Sequence, residues 1–466
     1  MLNRRQLRGH TKSILCVSSA EYESSDSNSA SSEYNRVIVS GSEDCTVRLW
    51  DLRVNRAQKC ITGCFDGNPV DSVCLHPSHS SKHLLHVGSG SDVYIFDLRK
   101  EGILDRQPLA VVNVLPTEAE SDVNAIAVHP KGHLLAAASD DGGVHLVDLT
   151  AVQQAINDSP PALQLSPAAA APARTGRLGL TAATEQHGQG QQLLRIQSAT
   201  RRLNGGHENI ASSIAFRPVP TSSDDVVSGG FDCKAILWDH SVGRRKSHAD
   251  LGGQGGASGL GINPPFVHTL AYSEGGKYLF CGTGDGSISV REASGLGEVA
   301  SEEGHDSFTS CVHVPHSAHS ASNSSSDDLA EAAPASASAS RPSTARSGVV
   351  AFSGGNDGKI NAWHLQEGTG PKPKKRRGKS ARAGGGAANR RGQLVNLWAL
   401  EHGSKINALT TWAGATVRRA NQQLSDDDDK EEREGENATV GASSNHSFHL
   451  FVADTSKDLS VYTYKA

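Results

Sequence analysis

Serine, histidine and aspartate are the side chains of an acyl-transfer site, and this chain repeats them at fixed intervals. Residues 40–50 read SGSEDCTVRLW, 228–238 read SGGFDCKAILW and 353–363 read SGGNDGKINAW. Each stretch has a serine, an aspartate four residues on and a tryptophan ten residues on: Ser40, Asp44, Trp50; Ser228, Asp232, Trp238; Ser353, Asp357, Trp363. A Gly-His pair stands ahead of each and supplies His10, His207 and His305. A hydroxyl activated by an imidazole that a carboxylate orients is the machinery of hydrolysis. A nucleophilic serine, however, needs an exposed oxygen, usually on a strained elbow such as G-x-S-x-G. These serines fall in strand patterns and come in three copies, so we expect no enzyme activity and no cofactor.

The elements around them are short strands. Each unit has two strand patterns joined by a tight turn, with alternation such as Val47 and Leu49 on one face. An earlier strand precedes each: SILCVSS, ASSIAFRP and FTSCVHVP. The same template, degraded, recurs in four more places, where Phe96, Val147, Arg291 and Tyr462 take the tryptophan position. Between the strands lie compositionally biased stretches at 21–35, 150–190, 251–264, 316–347, 366–392 and 418–446, rich in Ser, Ala, Gly, Pro or charge. They have no periodicity, and we expect them to be disordered insertions. They sum to roughly 158 residues, and the remainder is about 44 per unit, the size of a four-stranded propeller blade.

Gly-His followed by Ser, Asp and Trp at these offsets resembles the WD40 repeat family. The resemblance implies an all-β fold: one seven-bladed β-propeller over residues 1–466. It implies three structural tetrads: His10, Ser40, Asp44 and Trp50; His207, Ser228, Asp232 and Trp238; His305, Ser353, Asp357 and Trp363. Packed between neighbouring blades, these polar groups lose water and must satisfy one another. The ring is expected to close by the segment NRRQLRG adding a strand to the last unit, which ends LSVYTYKA.

Such a fold works through its surfaces. Aligning the first strands puts Leu15, Asp71, Asn124, Ser212, His268, Ser310 and Asn407 at the channel mouth, and six of these seven are polar. That composition suits a ring that reads a peptide, or one that holds only water. The units ending LWDLR and IFDLR place Asp51 and Arg53, and Asp97 and Arg99, after the third strand on adjacent blades. Within the family this aspartate-x-arginine pattern resembles the docking signature for the adaptor of cullin-4 ubiquitin ligases, which implies a substrate receptor. The other open reading is a nuclear scaffold or chromatin-associated reader, working through the mouth and the basic loop Lys372, Lys374, Lys375, Arg376, Arg377 and Lys379. That loop has the composition of an import signal, a nucleic-acid contact or a solvated connection.

Two histidine groups have spacings open to metal, His313, His316 and His319, and His76, His79, His83 and His86, but the first edges a Ser/Ala-rich insertion that reads as a solvated loop and the second flanks a strand turn. No metal is expected. The eight scattered cysteines, the net charge of −5 and the lack of a signal-like apolar run fit a soluble intracellular protein, nuclear or cytoplasmic. No stretch approaches the ~20 apolar residues of a membrane span. The expected partners are proteins, and the chain is expected to be a monomer before assembly.

Overall fold

The computed structural model of the chain describes residues 2–21, 36–52, 56–115, 121–159, 174–175, 181–187, 191–197, 200–218, 224–252, 263–315, 349–366, 392–412 and 447–465. Strand is the main regular structure among them, in six hydrogen-bonded sheets. The sheets grow from hairpins. In Thr46–Asp51 the alternation puts Val47 and Leu49 on one face and Trp50 on the other, and each face is buried against a different neighbour. The residue after the turn aspartate has positive φ, which glycine adopts freely. Gly142, Gly286 and Gly358 fill this place in three hairpins, while Cys45 and Cys233 hold φ 58 and 60 in two others.

Four sheets are simple antiparallel meanders whose spatial order is the chain order. They run Val123–Val128 to Thr200–Arg202, Ala211–Phe216 to Arg244–Asp250, Val267–Tyr272 to Glu298–Glu303, and Thr309–His313 to Gln393–Glu401. A fifth meander, Ser72–Leu75 to Ala110–Asn113, is extended at its outer edge by Gln191–Gln197, Thr181–His187 and Arg174–Thr175. The largest sheet joins both ends of the chain. Ile14–Glu21, Arg36–Ser42, Thr46–Asp51 and Arg56–Thr62 form one part; Ile406–Trp412, Ser447–Asp454, Asp458–Lys465 and Leu2–Arg8 form the other. Leu2–Arg8 pairs antiparallel with Asp458–Lys465 along its whole length, from Leu2 opposite Tyr464 to Arg8 opposite Asp458. A single parallel pair, Arg8 with Arg56, links the two parts.

The first strand of each meander packs beside the first strand of the next, and Ile406–Trp412 packs beside Ile14–Glu21 in turn. The fold is therefore all-β and propeller-like, with its core between sheets rather than within them. One cluster joins Val39, Val47 and Leu49 to Val73, Leu85 and Phe96, and another joins Leu7, Ile14 and Trp50 to Phe451 and Val461. This packing explains the glycine after each motif serine. A Cβ on Gly41 would lie 2.4 Å from Val70, just before Ser72–Leu75, and one on Gly229 or Gly354 would lie 2.5 Å from Val267 or Ile406 of the neighbouring first strand.

The expectation of disorder over 150–190 is corrected in part. Leu149–Asp158 is the one α-helix among the described residues. Asp148 caps it by accepting from the Thr150 and Ala151 N–H groups at 2.9 and 3.1 Å, satisfying two donors that a first turn leaves open. Its buried Leu149, Ala151 and Val152 make the inner face, and Leu149 and Val152 pack with Leu194 and Ile196 of Gln191–Gln197. That strand is held to the Ser72–Leu75 to Ala110–Asn113 meander by Arg195, which pairs with Asp92 at 2.8 Å. The stretches at 251–264 and 366–392 begin and end on described residues, but most of those two and of 21–35, and all of 316–347 and 418–446, lie outside the described set.

Candidate functional site

The motif residues meet at the ends of three hairpins. His10 Nδ1 lies 3.1 Å from Asp44 Oδ2 and its Nε2 lies 2.8 Å from Ser40 Oγ; the Trp50 indole N–H donates to the same oxygen at 2.8 Å. His207, Asp232, Ser228 and Trp238 repeat this at 2.8, 2.8 and 2.9 Å. His305, Asp357, Ser353 and Trp363 do so at 3.1, 2.8 and 2.8 Å. A carboxylate only accepts, so Nδ1–H donates to the aspartate, and Nε2 accepts from the serine O–H. Each serine oxygen is thus a donor to imidazole and an acceptor from indole, and all three serines are fully buried. The hydroxyls lie inside the sheets with no solvent-exposed oxygen, and their hydrogens are held by the imidazoles.

Electrostatics hold the same proton positions. Burial lowers the His10 pKa and outweighs Asp44, so the ring stays neutral at pH 7. Burial alone would raise the Asp44 pKa; hydrogen bonds from His10, Thr46 and the Thr11 N–H overcome it and hold the carboxyl well below the usual range.

A fourth lock was not foreseen. His402 Nε2–H donates to Asp454 at 2.5 Å, and Nδ1 accepts from the Tyr462 hydroxyl at 2.7 Å. The imidazole is turned over relative to His10. Tyr462 fills the tryptophan position, and the aspartate has moved to two residues beyond the serine position, which Val452 occupies. The Arg4 guanidinium lies 5.6 Å from the Tyr462 ring centre, tying the N-terminal strand to this lock. Tyr462→Phe should leave Nδ1 orphaned and cost about 1–2 kcal/mol in urea denaturation. An unchanged midpoint would remove the hydroxyl from the account.

The other weak units are pinned less. Ser139 donates to Asp141 at 2.5 Å and Thr283 to Asp285 at 2.6 Å. His86 occupies the serine position beside Phe96, and neither ring nitrogen has a partner among the described residues. Burial pushes its pKa down to about 3.

The predicted mouth residues occupy one recurrent place. Leu15, Asn124, Ser212, His268, Ser310 and Asn407 are each the extra residue of a bulge in a first strand, and Asp71 directly precedes Ser72–Leu75. Four spend their donors on a neighbouring sheet. Asn124 donates to the Ala211 carbonyl at 3.1 Å, Ser212 to Val267 at 2.5 Å and Asn407 to Ile14 at 2.7 Å; Ser310 donates to Ile406. Each acceptor is the residue just before the neighbour's bulge or its counterpart. These polar groups are inter-sheet ties, a role that strand alignment does not disclose.

On the opposite rim, the Asp97 carboxylate accepts from Arg99 Nε at 3.0 Å and Nη2 at 2.7 Å, while the Arg99 side chain stays 60% exposed. The aspartate also accepts the Arg99 N–H at 2.9 Å. Asp148 and Asp239 do the same for Thr150 and Ser241, so the aspartate is a turn former in several sheets and the guanidinium is the special feature here. Asp51 ends its strand half-buried, and Arg53 lies outside the described residues, as do Lys372, Lys374, Lys375, Arg376, Arg377 and Lys379. His316 and His319 also lie outside, and His313 contacts Thr411 Oγ1 at 2.9 Å. His76 bonds the Gly132 carbonyl at 3.1 Å. Among the described residues no group of three His, Cys, Asp or Glu side chains could hold a metal ion, and no helix is long and apolar enough to cross a membrane.

This geometry is similar to that of WD repeats. The WD40 family model, described as WD domain, G-beta repeat, matches residues 2–51 and 110–148. The chain is 24% identical over 327 residues to the WD repeat-containing protein 53 homolog of Dictyostelium discoideum, covering 66% of this chain and 70% of that one. It is 31% identical over 119 residues to mouse target of rapamycin complex subunit LST8, covering 25% of this chain and 32% of that protein. It is 33% identical over 156 residues to the guanine nucleotide-binding protein subunit beta of Zea mays, covering 32% and 35%. The last two alignments thus span about a third of each relative.

Proposed function

We propose that this chain is a non-catalytic interaction scaffold: a single seven-bladed ring closed by Leu2–Arg8 that serves as a substrate receptor of a cullin-4 ubiquitin ligase. One rim docks the ligase adaptor through Arg99 and Arg53, and the other presents the mouth to the protein to be modified. The observation that carries the docking reading is the Arg99 head, 60% exposed yet held in plane by two bonds to Asp97. A planar donor head fixed before contact loses little freedom on meeting partner carbonyls or carboxylates. The similarity to a WD repeat-containing protein 53 homolog over 70% of its length supports a scaffold, as does the engagement of every motif serine inside the fold.

Arg99→Glu tests it. Recovery of the adaptor with the tagged chain from cell extract should fall by about tenfold or more, since hot-spot arginines carry a large share of such interfaces. The melting temperature should not move, because Arg99 is a rim side chain. Equal recovery of adaptor with the variant would end the docking reading.

A further inference from the structure

The mouth is divided in two by chemistry. Over the fourth to sixth sheets in chain order it is aromatic. Phe231 and Phe266 have ring centres 4.8 Å apart, His268 lies 5.1 Å from both, and His268 stacks on Phe308 at 4.7 Å and 23°. All four rings remain partly exposed. Burial and the nearby Lys405 push the His268 pKa down to about 4, so this ring is a neutral aromatic surface at pH 7. Lys405 Nζ stands 5.1 Å from the Phe308 ring centre, which shows one face of the cluster already receiving a cation.

Over the first three sheets the mouth is acidic. Glu43, Asp122 and Asp140 are exposed beside the half-buried Asp71. Burial pushes the Asp71 pKa up to about 6, and the charges that act on it, those of Asp122, Asp140 and Glu43, are all negative. The backbone holds these groups at one end of the barrel. Asp140 N–H donates to the Asp122 carbonyl, and Glu43 N–H to Ser13, as Phe231 N–H does to Ile210 across the opening.

We propose that the mouth binds a basic segment of a partner protein, with its positive side chains over Asp71, Asp122 and Asp140 and an apolar or aromatic side chain against Phe266, His268 and Phe308. This deepens the scaffold reading above and rests on it. The charge complementarity selects the occupant: aromatic surface alone would suit any apolar peptide, and the carboxylates opposite it disfavour an acidic one. Lys405 sets direction, since it repels cations from the aromatic side and leaves them the acidic side.

Fluorescence anisotropy on the full chain tests this with two labelled peptides, Gly-Arg-Lys-Phe-Arg-Lys-Gly and its charge-inverted form Gly-Glu-Asp-Phe-Glu-Asp-Gly. The cationic peptide should bind, more weakly as salt rises, and the inverted one should not. Asp122→Asn with Asp140→Asn should weaken binding by about tenfold or more, as should Phe266→Ala with Phe308→Ala, while Val242→Ser on the outer rim should leave it unchanged. Should the phenylalanine pair not fold, the exposed aspartate pair decides. No binding of the cationic peptide, equal binding of both peptides, or indifference to the aspartate pair overturns the proposal. Adaptor recovery is scored on the same preparation. Recovery without peptide binding removes only the mouth, and peptide binding without recovery removes only the docking rim.

Discussion

A chain lacking residues 2–8 should lose about 5 kcal/mol or more of stability, or fail to give one cooperative melting transition. Leu7 is fully buried among Ile14, Ile38, Trp50, Phe451 and Val461, and deleting such a side chain alone costs about 2–5 kcal/mol. The deletion also strips seven paired positions from Asp458–Lys465, exposing an edge of a sheet whose other strands still face the core. Arg4 leaves with the strand, and with it the contacts to the His402 carbonyl and Ser460 Oγ, both at 3.3 Å. Urea denaturation followed by tryptophan fluorescence measures the loss. Leu7→Ala, a milder lesion, should fall between the deletion and the parent. A truncated chain with the parent's midpoint and slope would show that this pairing contributes nothing to the fold, and the closed-ring proposal would go with it.

Ser228→Ala should cost about 2–4 kcal/mol, far more than removing one oxygen from a surface serine, because two buried groups lose their partner at once. The His207 Nε2 lone pair and the Trp238 indole N–H both use this hydroxyl, and Ser228 and Trp238 are fully buried. Ser353→Ala should behave alike, since His305 and Trp363 converge on it at 2.8 Å each. Ser241→Ala, on an exposed turn, is the control. If Ser228→Ala melts within about 0.5 kcal/mol of the parent, the shared-oxygen lock is not what holds the hairpin.

The strong locks were legible because hairpin geometry fixes their spacing. A two-strand unit with one turn can bring a serine, an aspartate and a tryptophan together at only a few offsets, so three copies of the same offsets announce one construction. His402 escaped because its set is altered: Val452 replaces the serine, the Tyr462 hydroxyl reaches the imidazole directly, and the aspartate comes from Asp454 rather than the turn position, where Ser456 stands. The helix Leu149–Asp158 escaped because its buried face is only a few residues long and lies in an Ala- and Gln-rich stretch that reads as filler. The mouth register was readable from aligned strands, but the use of Asn124, Ser212, Ser310 and Asn407 was not. Their partners are backbone carbonyls of another sheet, and a carbonyl leaves no mark in a sequence. The split between aromatic and acidic halves needed the positions beside the bulges as well, which alternate strands and turns scatter along the chain.

The pairing of Leu2–Arg8 with Asp458–Lys465 also sets a timetable. Leu2–Arg8 must wait for Asp458–Lys465, made much later in the chain, and until then its backbone has no antiparallel partner and Leu7 lacks the cover of Phe451 and Val461. Contacts of such sequence separation form slowly, and an unpaired strand in the interval is open to pairing with other chains. The basic, arginine-dense composition of this segment, with Arg4, Arg5 and Arg8, keeps nascent copies apart by mutual repulsion until the last hairpin arrives.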